Sequence, residues 1–244
     1  MISVPAAPYR CPPGPYERAS LMASYFKRNK PKAQILILDS NERFSKQALF
    51  QQAWKQLYGD KIRWQSASND GRVIRVEPKA MRLHTDFETY TPDVANVIPP
   101  QQAGLIAHRA GVADLSGWCP VNSLSFESRL QPNIHVIGDA AIAAPMPKSA
   151  FSANAQAKVC AIALARLFRG MAPQSTVLAN TCYSYLEPHS AISISGAYPT
   201  QEDQFVSITA AAGASPLIAP AGLRAQEADH AADWFRAITQ ETFG

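Results

Sequence analysis

The clearest early signal along the chain is a short apolar run, QILIL at residues 34–38, closed by Asp39-Ser40. A continuous apolar run bounded by polar turn residues reads as a strand buried on both faces of a parallel sheet. The segment before it, residues 1–20, carries prolines at 5, 8, 12, 13 and 15. These allow the end of a strand and a stiff loop, and Pro15 suits the first turn of a helix. Residues 15–28 carry Tyr16, Ala19, Leu21, Met22, Ala23 and Phe26, which read as an amphipathic helix, and Pro31 stops it. Residues 45–58 predict a second helix, with Ser45 as its cap, Leu49, Phe50, Trp54 and Leu57 on one face, and Gly59 at its end. Short strands follow near 62–65, 72–77, 81–85 and 94–98, expected as a meander beside the sheet.

Pro99-Pro100 marks a domain crossing. Beyond it the pattern predicts a helix over 101–110, a loop over 111–120 and a strand at 134–137, IHVI, running into Gly138-Asp139-Ala140. A long helix rich in alanine spans 150–169 and ends at Gly170. Residues 190–209 read as an antiparallel pair, 209–222 as a surface loop and 225–239 as a last helix. Alternating strands and helices make the chain α/β.

With 47% hydrophobic and 17% charged residues among 244, the chain can bury one or two cores. The net charge of +4 has no Lys/Arg run longer than two, so a nucleic-acid footprint is not expected. No stretch has the length and apolarity of a membrane span, and no secretory leader opens the chain. The four cysteines, Cys11, Cys119, Cys160 and Cys182, are widely spaced and form no CxxC or Cys/His cluster, which argues against zinc.

The segment IHVIGDAAIAAPMPKSAFSANAQAKV carries the most chemistry. Gly138 allows a close backbone approach to a ligand, and Asp139 can accept a hydrogen bond from a sugar-like hydroxyl. The helix after it turns its N-terminal N–H groups and positive dipole end toward whatever lies in front, which suits the negative charge of a reduced flavin. An ordinary capped strand–turn–helix is the plain alternative. His135 reads as a packed or surface residue, and Cys160, inside the alanine-rich helix, as a small buried hydrophobe.

NIHVIGDA with PMPKSAFSANAQAKV resembles the second FAD-contact motif of the glutathione-reductase-like flavoproteins, and in its PMPKS form the flavin subunit of flavocytochrome c sulfide dehydrogenase. PAAPYRCPPGPYERAS, ILILDS, FSKQ, LYG, NVIPPQ, GWCPV, FES, NTCYS and the terminal TFG resemble that subunit in the same order. The resemblance implies a partial two-dinucleotide-binding-domain fold: residues 1–98 a middle, NAD-domain-like unit, 99–170 the returning part of the FAD domain, and 171–244 a small α+β C-terminal domain. It implies FAD as cofactor, sulfide as substrate, a cytochrome c (haem) subunit as partner and a periplasmic location. Cys11 and Cys182 match the two cysteines of a redox-active disulfide. Gly138, Asp139 and Ala140 match the group that binds the ribityl-phosphate part of FAD. Pro147, Lys148 and Ser149 match the turn and helix start near the flavin ring, and Trp234 an aromatic near the flavin and the haem side. Arg10 and the helix after Cys11 would favour its thiolate.

Cys119, in GWCPV, is a rival partner for Cys182, since a loop cysteine beside proline is expected to be exposed enough to oxidise. No GxGxxG occurs, either for FAD phosphates or for NAD. The expectation is therefore an N-terminally truncated form that holds FAD weakly or not at all and binds no NAD. A sulfide:quinone oxidoreductase and an inactive remnant are the alternative readings.

Overall fold

The computed structural model describes residues 1–244. The chain divides into two compact units, one of Met1–Gln101, Tyr183–Ile192 and Ser215–Gly244, the other of Gln102–Cys182 and Ser193–Ala214. Residues 171–244 are thus shared between both.

The first unit begins with β1 (Ile2–Val4), α1 (Gly14–Asn29), β2 (Ile35–Asp39), α2 (Gln47–Tyr58) and β3 (Ile62–Gln65). Next come β4 (Arg75–Glu77), β5 (Arg82–His84), β6 (Thr89–Tyr90) and β7 (Asn96–Val97). The main sheet has the order β3-β2-β1-β7, with every pairing parallel. That is half of a doubly wound sheet. β2 is buried along nearly its whole length, as its unbroken apolar run requires. The expected strand at 94–98 does not continue the meander: the meander is β4-β5-β6, and β7 instead lies parallel to β1. Parallel pairing needs a long crossover, so local alternation could not reveal it.

α1 opens with Pro15 in its first turn and closes with Lys27 and Arg28, matching the helix dipole at that end. α2 starts later than expected. Its N-cap is Lys46 in the left-handed region (φ 63), not Ser45, and no side chain caps it. Lys46 is almost fully buried, and its ammonium donates to Ser184 Oγ at 2.8 Å. That buried contact fixes the helix start where local capping preference would have placed it one residue earlier.

The core of this unit gathers Ile2, Val4, Tyr16, Ile35, Ile37, Phe50 and Trp54. Tyr16 stacks on Phe44 with ring centroids 3.7 Å apart. Within this apolar setting sits Asp39, at the end of β2 and fully buried. Its Oδ2 accepts from Tyr16 Oη at 2.5 Å and Trp64 Nε1 at 2.8 Å, and its Oδ1 from Asn41 N at 3.0 Å and Nδ2 at 2.8 Å. Burial, and then the Asp39 carboxylate, push the Tyr16 phenol far above its ordinary pKa, so it remains a donor. In dinucleotide-binding folds an acid at this position meets a ribose hydroxyl. Here both of its oxygens already have protein donors.

The second unit contains α3 (Leu105–Arg109), β8 (Cys119–Pro120), β9 (Ala141–Ile142) and α4 (Ala150–Leu167). β10 (Val177–Glu187) and β11 (Ser190–Gln201) follow, joined by Pro188-His189 and running through both units. β11 also pairs with β12 (Gln204–Phe205) and β13 (Gly213–Ala214). α5 (Ala221–Phe243) ends the chain in the first unit. β10 is a strand that the alternation at 190–209 did not foretell.

Two expectations here need correction. The helix over 101–110 shrinks to five residues, because Ala103 N bonds Gly117 O at 2.8 Å and keeps the chain extended up to Gly104. The strand at 134–137 is reduced to isolated bridging, His135 to Glu127, with Val136 N on Phe126 O at 2.9 Å. Its partner segment is bent by Phe126 at φ 59, so no regular ladder can form. No helix is long and apolar enough to cross a membrane.

Replacing Tyr16 with Phe removes a charged hydrogen bond from a buried carboxylate. The expected cost is about 2 kcal/mol, read from urea unfolding of the Tyr16→Phe variant. An unchanged midpoint would mean that Asp39 does not organise this core.

Candidate functional site

The expected site residues fall into two groups, one in each unit. In the first unit, β1 runs into the loop that carries Cys11. Asn41, held by Asp39, donates from Nδ2 to Pro5 O at 2.8 Å and accepts from Ala7 N at 2.9 Å. Tyr9, almost fully buried, donates to Pro12 O at 3.2 Å and lies 3.4 Å from the Tyr16 hydroxyl. Burial pushes the Tyr9 phenol up to about 12. The loop is therefore anchored on both sides of Cys11. Cys11 itself is exposed and lies in the left-handed region at φ 51, with its carbonyl accepting from Gly14 N at 2.8 Å. Its sulfur packs over the start of α1: a Cβ on residue 14 would stand 3.1 Å from Sγ. Glycine at that position leaves room for the thiol.

In the second unit, Gly138, Asp139 and Ala140 form a single 3-10 turn between β8 and β9. Gly138 needs its freedom, at φ 74. Its N–H donates to Gln156 Oε1 at 2.7 Å, from a glutamine on α4 that is 2% exposed. Lys148 Nζ donates to Asp139 O at 2.7 Å and Ala141 O at 3.0 Å, and lies 3.8 Å from the centre of the Trp118 ring. Burial pulls the Lys148 ammonium below its ordinary pKa, against the pull of Asp139 and Cys119 in the other direction. Ser149 caps α4: its Oγ accepts from Ser152 N at 3.1 Å and donates to Asn180 Oδ1 at 2.6 Å. Pro147 completes the approach to that cap, half-buried.

Asn180 lies on β10, and Cys182 is two residues further on the same strand. Residues two apart face the same side, about 7 Å along the strand. Six of the expected site residues, Gly138 to Ala140 and Pro147 to Ser149, come together, and β10 carries Cys182 two residues beyond the Asn180 that meets the α4 cap. Cys11 and Trp234 belong to the first unit, Trp234 half-buried on α5. Trp118 and Gln156 were not singled out by sequence reasoning. Gln156 had a signal, since it stands in the SANAQ stretch of the motif; Trp118 had none beyond its place in GWCPV.

The cysteines sort by burial. The structure holds no disulfide bond. The expectation that Cys119 is exposed is wrong: it is fully buried in β8, opposite Ala141, and burial pushes its thiol up. A strand pairing that the sequence did not announce encloses it. Cys160 is buried in α4, with its thiol likewise raised by burial.

The turn also carries an orphan. Asp139 Oδ1 is buried and has no hydrogen-bond partner. Such an acceptor is costly unless a ligand donor meets it. A hydroxyl of a ribityl chain is a donor of the right kind, and the start of α4 suits nearby negative charge.

Comparison with known proteins decides the family. Residues 1–99 match the family model described as sulfide dehydrogenase (flavocytochrome c) flavoprotein chain, central, and residues 174–243 the one described as flavocytochrome c sulphide dehydrogenase, flavin-binding. The chain belongs to this flavoprotein family. Its cofactor is FAD, and the orphaned Asp139 oxygen fits that cofactor. Among solved structures, a chain from the Tetrahymena thermophila mitochondrial ATP synthase F1Fo composite tetramer is similar, with a TM-score of 0.58 and 15% identity over 80% of this chain. The match spans 50% of that chain, and at such identity the likeness concerns the fold alone.

Native-state alkylation of the reduced protein near neutral pH, followed by peptide mass spectrometry, is expected to label Cys11 rapidly. Cys119 and Cys160 should react only as fast as the protein opens. Rapid labelling of Cys119 would contradict its enclosure.

Proposed function

We propose that the chain is the flavin-binding part of an enzyme that oxidises sulfide through a disulfide between Cys11 and Cys182, with a cytochrome c subunit as electron acceptor, in the periplasm. The observation that carries this reading is the placement of Cys182 two residues beyond Asn180, the residue that binds the Ser149 cap of the helix start at the flavin motif. The exposed Cys11, packed against Gly14, supplies an accessible sulfur of the same family motif.

The chemistry balances. Hydrosulfide attacks one sulfur of the disulfide; an S–S bond to the substrate forms, the Cys–Cys bond breaks, and a persulfide and a thiolate result. Return of the persulfide and thiolate to the disulfide, with loss of one sulfur atom, one proton and two electrons, requires the thiolate to give its electron pair to an acceptor, since its direct attack on the cysteine sulfur of the persulfide would only expel hydrosulfide again. FAD, when bound, supplies the acceptor for that electron pair. The residues of this chain orient the sulfurs: Tyr9, Tyr16 and Asn41 anchor the Cys11 loop, and the α4 cap holds β10 beside the flavin motif.

Purified protein with FAD bound provides the test. Cys11→Ser and Cys182→Ser should each abolish reduction of the flavin spectrum by sulfide and leave FAD content unchanged. Sulfide-dependent bleaching that survives either substitution would remove the disulfide from the mechanism. Purified chain with no flavin absorbance even after FAD is added would favour the inactive remnant.

A further inference from the structure

The resemblance places Lys148 near the flavin ring, which invites the view that its ammonium meets the cofactor. The geometry points to another role. Two N–H bonds of the ammonium are engaged by the carbonyls of Asp139 and Ala141, and its other surface rests on the indole of Trp118, which is 6% exposed. A cation on an aromatic face between two carbonyls is already well solvated by the protein. With Gln156 holding Gly138 N, three backbone atoms of one four-residue segment are fixed from two directions. Asp139 Oδ1 is the buried atom of that segment left without a partner.

We propose that Lys148, seated on Trp118, is a positioning residue: it clamps the Gly138–Ala141 turn in the shape that presents Asp139 Oδ1 to a hydroxyl of FAD. It acts through Asp139 and not by contact with the isoalloxazine. This rests on FAD as the cofactor, and it adds Trp118 to the residues that the site requires. The lysine side chain reaches back from just before α4 to the turn, so the clamp also fixes the turn against that helix start.

The test is titration of the purified full chain with FAD, read by quenching of flavin fluorescence, together with the midpoint potential of the bound flavin. Lys148→Met and Trp118→Leu should each weaken FAD binding by about tenfold or more, as should Asp139→Ala. The double variant Lys148→Met/Asp139→Ala should be no weaker than Asp139→Ala alone, because the lysine acts through that carboxylate. The flavin midpoint potential of Lys148→Met should match the parent. Lys148→Arg, which keeps charge and donors, should retain most of the affinity, and it carries the test should the methionine variant fail to fold. The proposal is overturned by additive losses in the double variant, by undiminished affinity in Lys148→Met, by a shifted potential at undiminished affinity, or by an arginine variant as weak as Trp118→Leu. A parent chain that takes up no FAD defeats the cofactor reading itself, whereas a parent that binds with variants that bind equally well defeats the clamp alone.

Discussion

The buried Asp39 carboxylate is the constraint around which the first unit is arranged. Polar oxygens with no access to water must be met by donors, and four meet them, from Tyr16 on α1, from Trp64 on β3 and from Asn41 just after β2. The same donors reach outward. Asn41 grips the chain after β1 at Pro5 and Ala7, and Tyr16 contacts Tyr9. One buried acid at the end of β2 thereby sets the path of the loop that carries Cys11. An acid that would elsewhere serve a nucleotide serves here to hold a thiol in place.

The second unit follows the opposite logic at its turn. The backbone of Gly138, Asp139 and Ala141 is satisfied by Gln156 and Lys148, and the side chain of Asp139 is left with one oxygen unmet. A carboxylate whose oxygens both have donors belongs to the fold, whereas one with an unmet buried oxygen leaves an acceptor open. The contrast between Asp39 and Asp139 could not be read from residue type, since both follow a short apolar segment and both look alike in sequence.

Much of the fold was legible. The run of ILIL gave a buried parallel strand because a strand covered on both faces has no polar side to display. The alanine-rich helix and its end at Gly170 followed from composition and from glycine's tolerance of φ 70. The site motif was legible as a motif, and the residues it named do converge. Boundaries and partners were not. α2 begins at Gln47 because Lys46 is buried against Ser184, 138 residues away. The strand at 134–137 fails because its neighbour bends at Phe126, and β7 joins β1 because a crossover brings it there.

By itself the sequence determined the α/β class, the positions of the main helices and of the buried strand β2, and the motif that carries the Gly-Asp turn. These follow from local periodicity, from the special backbones of glycine and proline, and from a long ordered set of motifs. The tertiary structure alone decided which polar groups are already satisfied. It enclosed Cys119, left Cys11 exposed, saturated Asp39, orphaned Asp139 and turned Lys148 inward onto Trp118. Each of these outcomes depends on atoms far apart in the chain competing for the same hydrogen bond or the same volume, and no local reading of residues can resolve that competition.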